Sequence, residues 1–218
     1  MNCCQCQGIE AVFDPKHAAK ELENYRTKGP AKTTRMLIDA LKARGIKGMT
    51  LLDIGGGVGA IQHGLLRAGV TDATDVDASP AYLRAAQEEA ERQGFADRVT
   101  YHAGDFVDRA DEIEPADIVT LDRVICCYHD MEALVGLSSA RARRLYGLVF
   151  PRDAWWVRMA GPIANLFFRL RRNPFRIFFH PTEAVEAVLR SNGLERRFCR
   201  KTFVWQVMVY QRVAVSAD

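Results

Sequence analysis

Residues 51–59 read Leu51-Leu52-Asp53-Ile54-Gly55-Gly56-Gly57-Val58-Gly59. The apolar run before the glycines is typical of a buried parallel strand. Glycines between a strand and a helix let the backbone turn tightly and approach a ligand closely. Their spacing is G-x-G-x-G, not the G-x-G-x-x-G that places a pyrophosphate on a helix N-terminus. The loop is therefore expected to bind a ligand without phosphates, the alternative being a turn that merely needs glycine.

Strands and helices alternate around this loop. Helices are predicted over residues 16–24, 31–44, from the loop to 66, 79–93, 131–144 and 181–192. Strands are predicted over residues 49–54, 73–76, 99–102, 117–121, 146–150, 194–200 and 203–212. The last two strands are joined by a short turn, which makes them antiparallel. The pattern predicts an α/β fold with a Rossmann-like, doubly wound sheet of seven strands, mostly parallel, with an antiparallel C-terminal strand and helices on both faces.

Length and composition indicate a folded protein. The chain has 218 residues, 48% of them hydrophobic and 26% charged, which excludes disordered and repeat proteins. We treat residues 1–218 as a single domain, with an N-terminal cap over residues 1–30 and a lid insertion over residues 151–180. No apolar run is long enough to span a membrane, and the polar N-terminus does not resemble a signal peptide, so a cytoplasmic location is expected.

The six cysteines are expected to be reduced thiols, because two adjacent pairs do not suit a disulfide framework. Cys3, Cys4 and Cys6 are close enough in sequence to bind a soft metal. Zinc sites normally need a second pair of ligands, which the sequence does not offer. We therefore predict that the protein has no metal site.

Acidic residues follow the next two strands. Asp77 ends the second strand, where a carboxylate can accept hydrogen bonds from both hydroxyls of a ribose; the alternative is helix capping near Ser79. Asp75 is set aside as the ribose-binding residue, because a strand residue faces the opposite side from a neighbour one position away. After the third strand, Gly104-Asp105-Phe106 offers an acceptor for an adenine amine and a ring to pack on it, or forms an ordinary turn. Open α/β sheets bind ligands at this edge.

These motifs, in this order, resemble those of class I S-adenosylmethionine-dependent methyltransferases over roughly residues 30–212. Residues 52–59 resemble the family's first motif, and residues 116–124 resemble its fourth motif. The stretch Val76-Asp77-Ala78-Ser79 resembles the family's ribose-binding site, and Gly104-Asp105-Phe106 resembles its adenine site. The resemblance implies S-adenosylmethionine as cofactor and S-adenosylhomocysteine as product. The cofactor-binding residues that it implies are Asp53, Gly55, Gly57, Gly59, Asp77, Ala78, Gly104, Asp105, Phe106 and Leu121, with Tyr25 from the N-terminal segment.

A closer similarity is to magnesium-protoporphyrin IX O-methyltransferases. It rests on Leu121-Asp122-Arg123-Val124-Ile125, on the late Phe179-His180-Pro181 before a helix, and on the short final strand. The triple-cysteine start departs from that family.

The methyl acceptor is expected at the end of the fourth strand. His129 is a candidate general base, since an imidazole exchanges protons near neutral pH, and Tyr128 a candidate for orienting the acceptor. The alternative is that both simply begin the next helix.

Residues 141–180 have a net charge of +8, which leaves −5 for the rest of the chain. Gly161-Pro162 is expected to split the lid insertion into two short helices. Trp155, Arg169, Arg172 and His180 are candidate acceptor contacts, since arginines bind carboxylates in bidentate fashion. The alternatives are a solvated basic face and peripheral contact with anionic lipid.

The sequence thus predicts methyl transfer to a small-molecule acceptor, at an oxygen of an apolar and anionic compound, either carboxylate or hydroxyl. A nucleic-acid methyltransferase is the first alternative, but no Asn-Pro-Pro-Tyr-like tetrapeptide follows the fourth strand, so no nucleic-acid partner is expected. A non-catalytic module that binds the cofactor or a metal is the second. The glycine spacing disfavours a nicotinamide-dependent oxidoreductase. The sequence does not determine the oligomeric state.

Overall fold

The computed structural model describes residues 12–171 and 173–213. The helices are α1 (Pro15–Lys28), α2 (Lys32–Lys42), α3 (Ala60–Leu66), α4 (Pro80–Gln93), α5 (Phe106–Arg109), α6 (Met131–Ala140), α7 (Trp155–Leu170) and α8 (Thr182–Ser191). The strands are β1 (Leu51–Ile54), β2 (Ala73–Asp77), β3 (Val99–Ala103), β4 (Ala116–Asp122), β5 (Ala142–Pro151), β6 (Leu194–Lys201) and β7 (Trp205–Arg212). Short 3₁₀ turns lie at Ala96–Arg98, Ala110–Glu112 and Ile125–Cys127.

The strands form one seven-stranded sheet in the order β3-β2-β1-β4-β5-β7-β6. The first five are parallel, and β7 inserts antiparallel between β5 and β6. Every residue of β1 is buried, as expected for a central strand covered by helices on both faces. The predicted fold class is therefore confirmed.

Local sequence signals set the ends of several helices. Ser79 caps α4 by accepting a hydrogen bond from the Tyr82 amide, Pro80 occupies the first turn, and Gly94 ends the helix in the left-handed conformation. Asp14 caps α1 in the same manner, with Pro15 next to it. These caps fix the helices that border the carboxyl edge of the sheet.

The prediction of a helix over residues 131–144 was wrong at its C-terminal end. The helix α6 stops at Ala140, and β5 begins at Ala142. Arg143 and Arg144 are exposed while Leu145 and Tyr146 are buried in the sheet. Burial of these side chains beside β4 outweighs the local helical pattern.

The prediction of two short helices within residues 151–180 was also wrong. A single helix, α7, continues through Pro162. Proline leaves the carbonyl four residues earlier, that of Arg158, without its helical donor, but Arg158 is exposed and water can replace that donor. The Asn165 amide group fixes the helix to the following extended segment through paired hydrogen bonds with the backbone of Ile177, at 2.7 and 2.8 Å.

None of the helices in the described part of the chain is long and apolar enough to cross a lipid bilayer.

Candidate functional site

A cavity of about 580 Å³ opens at the carboxyl ends of the parallel strands. The glycine loop and the residues that follow β2, β3 and β4 form its polar half. The helix α7 and the segment after it close the other half. This is the edge at which open α/β sheets bind their ligands.

The glycine loop passes too close to its neighbours to carry side chains. A Cβ atom on Gly55 would lie 2.6 Å from a methyl carbon of Val124, and one on Gly56 would lie 2.6 Å from Asp75 Oδ1. Gly57 has a φ of +59° and lines the cavity. Gly59 is the N-cap residue just before α3, where a Cβ atom would lie 2.6 Å from the His63 ring, and it is not part of the cavity wall.

Asp77 lies on the cavity wall at the end of β2, with Ala78 beside it. Its Oδ1 accepts a hydrogen bond from the Ser79 amide at 2.8 Å, and its Oδ2 accepts one from the Gly57 amide at 3.2 Å. Burial raises the pKa of Asp77 to about 6, although these amides lower it. The carboxylate is thus held against the glycine loop, and each oxygen keeps a lone pair for a further donor.

Two more carboxylates are buried below the loop. The register of the sheet pairs Asp53 on β1 with Asp75 on β2. Asp53 accepts hydrogen bonds from Thr120 at 2.6 Å and Gln62 at 3.3 Å, while burial raises its pKa to about 7. Asp53 therefore supports the loop from beneath and also reaches the cavity wall.

The reason given for setting Asp75 aside was wrong, although Asp75 is not among the residues of the cavity wall. Asp75 and Asp77 are two residues apart, so their side chains lie on the same face of the strand. Asp75 Oδ1 accepts a hydrogen bond from the Gly56 amide at 3.3 Å, and its Oδ2 has no hydrogen-bond partner among the residues described. Burial, together with the charges of Asp77 and Asp53, holds the pKa of Asp75 well above its usual range.

Asp105 occupies the loop after β3. Its Oδ1 caps α5 by accepting a hydrogen bond from the Val107 amide at 2.9 Å, and its Oδ2 accepts one from the Tyr128 hydroxyl at 2.9 Å. Gly104 and the buried Phe106 lie next to it on the cavity wall. A carboxylate and an aromatic ring thus lie next to each other on the cavity wall.

Several residues predicted for the cofactor lie elsewhere. Leu121 is fully buried in the core because its side chain points away from the cavity. Tyr25 packs against His63 with 6.0 Å between ring centroids, and it stays outside the cavity wall. Both therefore stabilise the fold around the site.

Of the residues predicted to act on the acceptor, some line the cavity and others lie outside it. Tyr128 lines the cavity, whereas His129 is exposed, stacks on Tyr128 and is not among the wall residues. The ring of His180 is 2.8 Å from the Tyr128 carbonyl oxygen and fixes that segment from outside.

The candidate acceptor contacts on α7 face outward. Trp155 is 75% exposed and Arg169 is also exposed, because both lie on the side of the helix opposite the cavity. Arg172 lies outside the described residues. The inner face of α7 carries Val157, Gly161 and Ala164 instead.

Sequence reasoning missed the polar residues at the end of β4. Asp122 and Arg123 both line the cavity. Arg123 has a φ of +64°, which no other non-glycine residue in the described part of the chain adopts as a positive value. Its Nε lies 3.2 Å from Asp122 Oδ1 and its guanidinium 4.0 Å from Glu21. The sequence contained a signal for them, since both residues follow Leu121 directly in the motif Leu121-Asp122-Arg123-Val124-Ile125.

The helix α1 and the residues just before it cover the polar half of the cavity. Phe13, His17 and Glu21 line the wall, and Glu21 accepts a hydrogen bond from the Tyr82 hydroxyl. The helix is fastened to α4 by Arg26, which contacts the buried carboxylate of Glu89 at 2.7 Å.

The other half of the cavity is apolar. Its wall is formed by Pro151, Val157, Gly161, Ala164, Phe175, Ile177, Phe178, Phe179, Val204 and Trp205. Phe175 is buried and packs edge-on against Phe13 and Phe168. Among the described wall residues, Arg123 is the one arginine or lysine. The cavity therefore joins an acidic half to an apolar half. Its basic residue, Arg123, lies at the end of β4.

Within the described residues, no group of three or more histidine, cysteine or acidic side chains could hold a metal ion. Cys3, Cys4 and Cys6 lie outside those residues.

Residues 46–145 match a family model described as a methyltransferase domain. No curated protein sequence matches the chain. The matched segment runs from the residues before β1 into β5 and contains the glycine loop, Asp77, Asp105 and Arg123.

Solved structures of methyltransferases share the fold. Magnesium protoporphyrin IX methyltransferase from Synechocystis, with bound S-adenosylhomocysteine, is 18% identical with a TM-score of 0.73, over 96% of this chain and 100% of that one. An O-methyltransferase family protein from Burkholderia thailandensis is 18% identical with a TM-score of 0.70, over 95% of this chain and 64% of that one. Geranyl diphosphate C-methyltransferase from Streptomyces coelicolor is 15% identical with a TM-score of 0.64, over 83% of this chain and 75% of that one.

Proposed function

We propose that this chain, a class I S-adenosylmethionine-dependent methyltransferase, methylates an oxygen atom of an apolar small molecule. The observation that carries the proposal is the single cavity in which the acidic half meets an apolar half. The acidic half suits a positively charged polar cofactor, and the apolar half suits the acceptor.

The residues of the polar half fit S-adenosylmethionine. Asp77 has lone pairs free for the ribose hydroxyls, and Asp105 is placed to accept from the adenine amine beside Phe106. The glycine loop lines the cavity through Gly55, Gly56 and Gly57, and this stretch of backbone is where the methionine part would lie. When bound, the cofactor supplies an electrophilic methyl group on a positively charged sulfur.

Arg123 favours a carboxylate as the accepting group. Arg123 lines the cavity at the end of β4, where its guanidinium lies 3.2 Å from Asp122 and 4.0 Å from Glu21. An arginine has five N–H donors and can bind a further carboxylate through paired hydrogen bonds. A carboxylate is already ionised near neutral pH, so no general base is needed. This agrees with the exposed position of His129, outside the cavity wall.

The apolar half selects the body of the acceptor. Phe175, Phe178 and Phe179 together with the inner face of α7 exclude water and hold the acceptor in place. Much of the rate of methyl transfer then comes from fixing the acceptor oxygen in line with the methyl group. The acceptor is therefore an apolar carboxylic acid. Magnesium protoporphyrin IX, after which one structural neighbour is named, carries carboxylates and is a member of that class.

A labelled-methyl assay tests the proposal. Purified protein is incubated with methyl-labelled S-adenosylmethionine and a panel of apolar carboxylic acids, the matching alcohols, magnesium protoporphyrin IX and tRNA. We expect label in a carboxylic acid, released as volatile methanol by mild alkali, because esters hydrolyse and ethers do not. Label found only in alcohols or only in tRNA would contradict the carboxylate assignment.

A further inference from the structure

The outer face of α7 is an exposed apolar stripe. Trp155, Met159, Ile163, Leu166 and Leu170 follow one another at intervals of four, four, three and four residues, so they lie on one side of the helix. Each is between 57% and 75% exposed. The opposite side of the same helix lines the cavity.

The stripe continues beyond the helix. Phe167 is 49% exposed, and Phe203, in the turn between β6 and β7, is 75% exposed and stacks on Trp156 with 5.5 Å between ring centroids. Most of the large exposed apolar side chains in the described part of the chain belong to this surface. The largest apolar patch of a typical monomer measures about 300–600 Å² and is often functional.

Arginines flank the stripe on both sides. Arg158 and Arg169 are exposed on one flank, where the Arg158 guanidinium lies 5.4 Å from the centroid of the Phe179 ring. Arg171 lies over the Phe167 ring on the other flank, 4.1 Å from its centroid. None of the three forms an ion pair with a carboxylate among the described residues. Asp153 is the one acidic residue between positions 141 and 180, and its carboxylate accepts a hydrogen bond from the Thr182 amide.

We propose that the outer face of α7 docks the protein on the surface of a bilayer that contains anionic lipids. An apolar stripe with arginines on its flanks matches acyl chains bordered by negative headgroups. With 16 residues, α7 is about 24 Å long, too short to cross a hydrocarbon core of about 30 Å, so it lies in the interface. A two-fold dimer through this face would bring the arginines of both copies together, which disfavours a second copy.

Docking in this orientation places the cavity directly behind the membrane-facing helix. This consequence rests on the proposed function: an apolar acceptor dissolved in the bilayer would reach the cavity past the edges of α7. The docking surface itself depends on neither cofactor nor acceptor.

Sedimentation with lipid vesicles tests the docking surface without cofactor or acceptor, so its failure is distinct from a failure of the proposed function. The full chain is mixed with vesicles of phosphatidylcholine, or of phosphatidylcholine with phosphatidylglycerol. We expect binding to the anionic vesicles. The variant I163Q/L170Q should lower the partition coefficient at least about tenfold, since two large side chains leave the apolar phase. The control V213Q, an exposed apolar residue away from α7, should bind as the wild type does.

Charge is tested separately. The variant R158Q/R169Q should lower binding to anionic vesicles about tenfold and leave binding to neutral vesicles unchanged. The control R143Q/R144Q removes two exposed arginines from the start of β5, with the same change of net charge. Circular dichroism verifies that each variant is folded. Absent binding, equal binding by I163Q/L170Q, or a wild-type dimer that I163Q/L170Q dissociates would overturn the proposal.

Discussion

The hydroxyl of Tyr128 donates a hydrogen bond to Asp105 Oδ2 across 2.9 Å, which joins the segment after β4 to the loop after β3. The backbone carbonyl of the same tyrosine contacts the His180 ring at 2.8 Å. One residue thus connects the cofactor edge of the sheet to the segment that follows α7. That Tyr128 orients the acceptor stays a prediction, since Tyr128 lines the cavity and also donates this hydrogen bond to Asp105.

Replacing Asp77 tests the cofactor half of the cavity. Asp77→Ala should weaken binding of S-adenosylmethionine by roughly 2–3 kcal/mol, because it removes charge-assisted hydrogen bonds to the ribose. Isothermal titration calorimetry measures the change. Asp72→Ala, an exposed carboxylate just before the same strand, is the matched control. Unchanged affinity in a folded Asp77→Ala protein would remove Asp77 from the site.

Asp75 should reduce stability at neutral pH. Burial raises the pKa values of Asp75 and Asp53 in the folded protein, that of Asp53 to about 7. From roughly pH 4 to pH 7 the folded state therefore keeps protons that the unfolded state has released, and the free energy of unfolding falls as pH rises.

Asp75→Asn should remove part of this loss. Its thermal midpoint should exceed that of the wild type near pH 8, with a smaller gain near pH 5. Differential scanning calorimetry at both pH values makes the comparison, with Asp72→Asn as control. An equal gain at both pH values would show that the charge of Asp75 is not the cause.

Arg123 should determine acceptor binding. Arg123→Gln is expected to lower kcat/KM for a carboxylic acid by about 10- to 100-fold, mostly through KM, because a hydrogen bond to a charged group contributes about 1.5–3 kcal/mol. Affinity for the cofactor should change much less. Arg84→Gln, an exposed arginine on α4, is the control. Equal losses with carboxylic acids and their alcohol analogues would argue against carboxylate recognition.

Replacing His129 should have only a small effect on kcat. It is exposed and outside the cavity wall, and a carboxylate acceptor needs no general base. We expect His129→Ala to lower kcat less than tenfold, below the roughly 10²–10⁴-fold contribution of a general base. Steady-state kinetics decides the point. A thousandfold fall in kcat, with fold and KM intact, would point to a hydroxyl acceptor.

The contact between α1 and α4 should stabilise the protein less at low pH. Burial acts to raise the pKa of Glu89, but hydrogen bonds from Arg92, Arg26 and Gln93 outweigh it and hold the pKa at about 2. This stabilisation is complete above the unfolded value of 4.5 and is lost as pH falls towards 2.

Arg26→Ala should therefore lower the free energy of unfolding by about 1–2 kcal/mol at neutral pH, since Arg26 is partly exposed and Arg92 remains. The difference from the wild type should shrink below about pH 4. Urea unfolding at several pH values measures it, with Arg84→Ala as control. A difference that persists near pH 2 would assign the effect of Arg26 to packing alone.

Local signals in the sequence specify the fold class and the edge of the sheet at which the site lies. The glycine loop, the alternation of strands and helices, and the caps at Ser79 and Gly94 are local signals, each with a physical cause within a few residues. Parallel strands bring their carboxyl ends to one edge, so residues that follow successive strands, such as Asp77 and Asp105, had to lie near each other.

Which side chains face the cavity depends on long-range packing that local sequence patterns do not reveal. Periodicity shows which residues share a face of an element, but packing against the rest of the protein sets which face turns inward. Leu121 therefore lies in the core while Asp122 and Arg123 line the wall. The helix α7 continues through Pro162 and turns its arginines and Trp155 outward, because its small inner residues pack over the cavity.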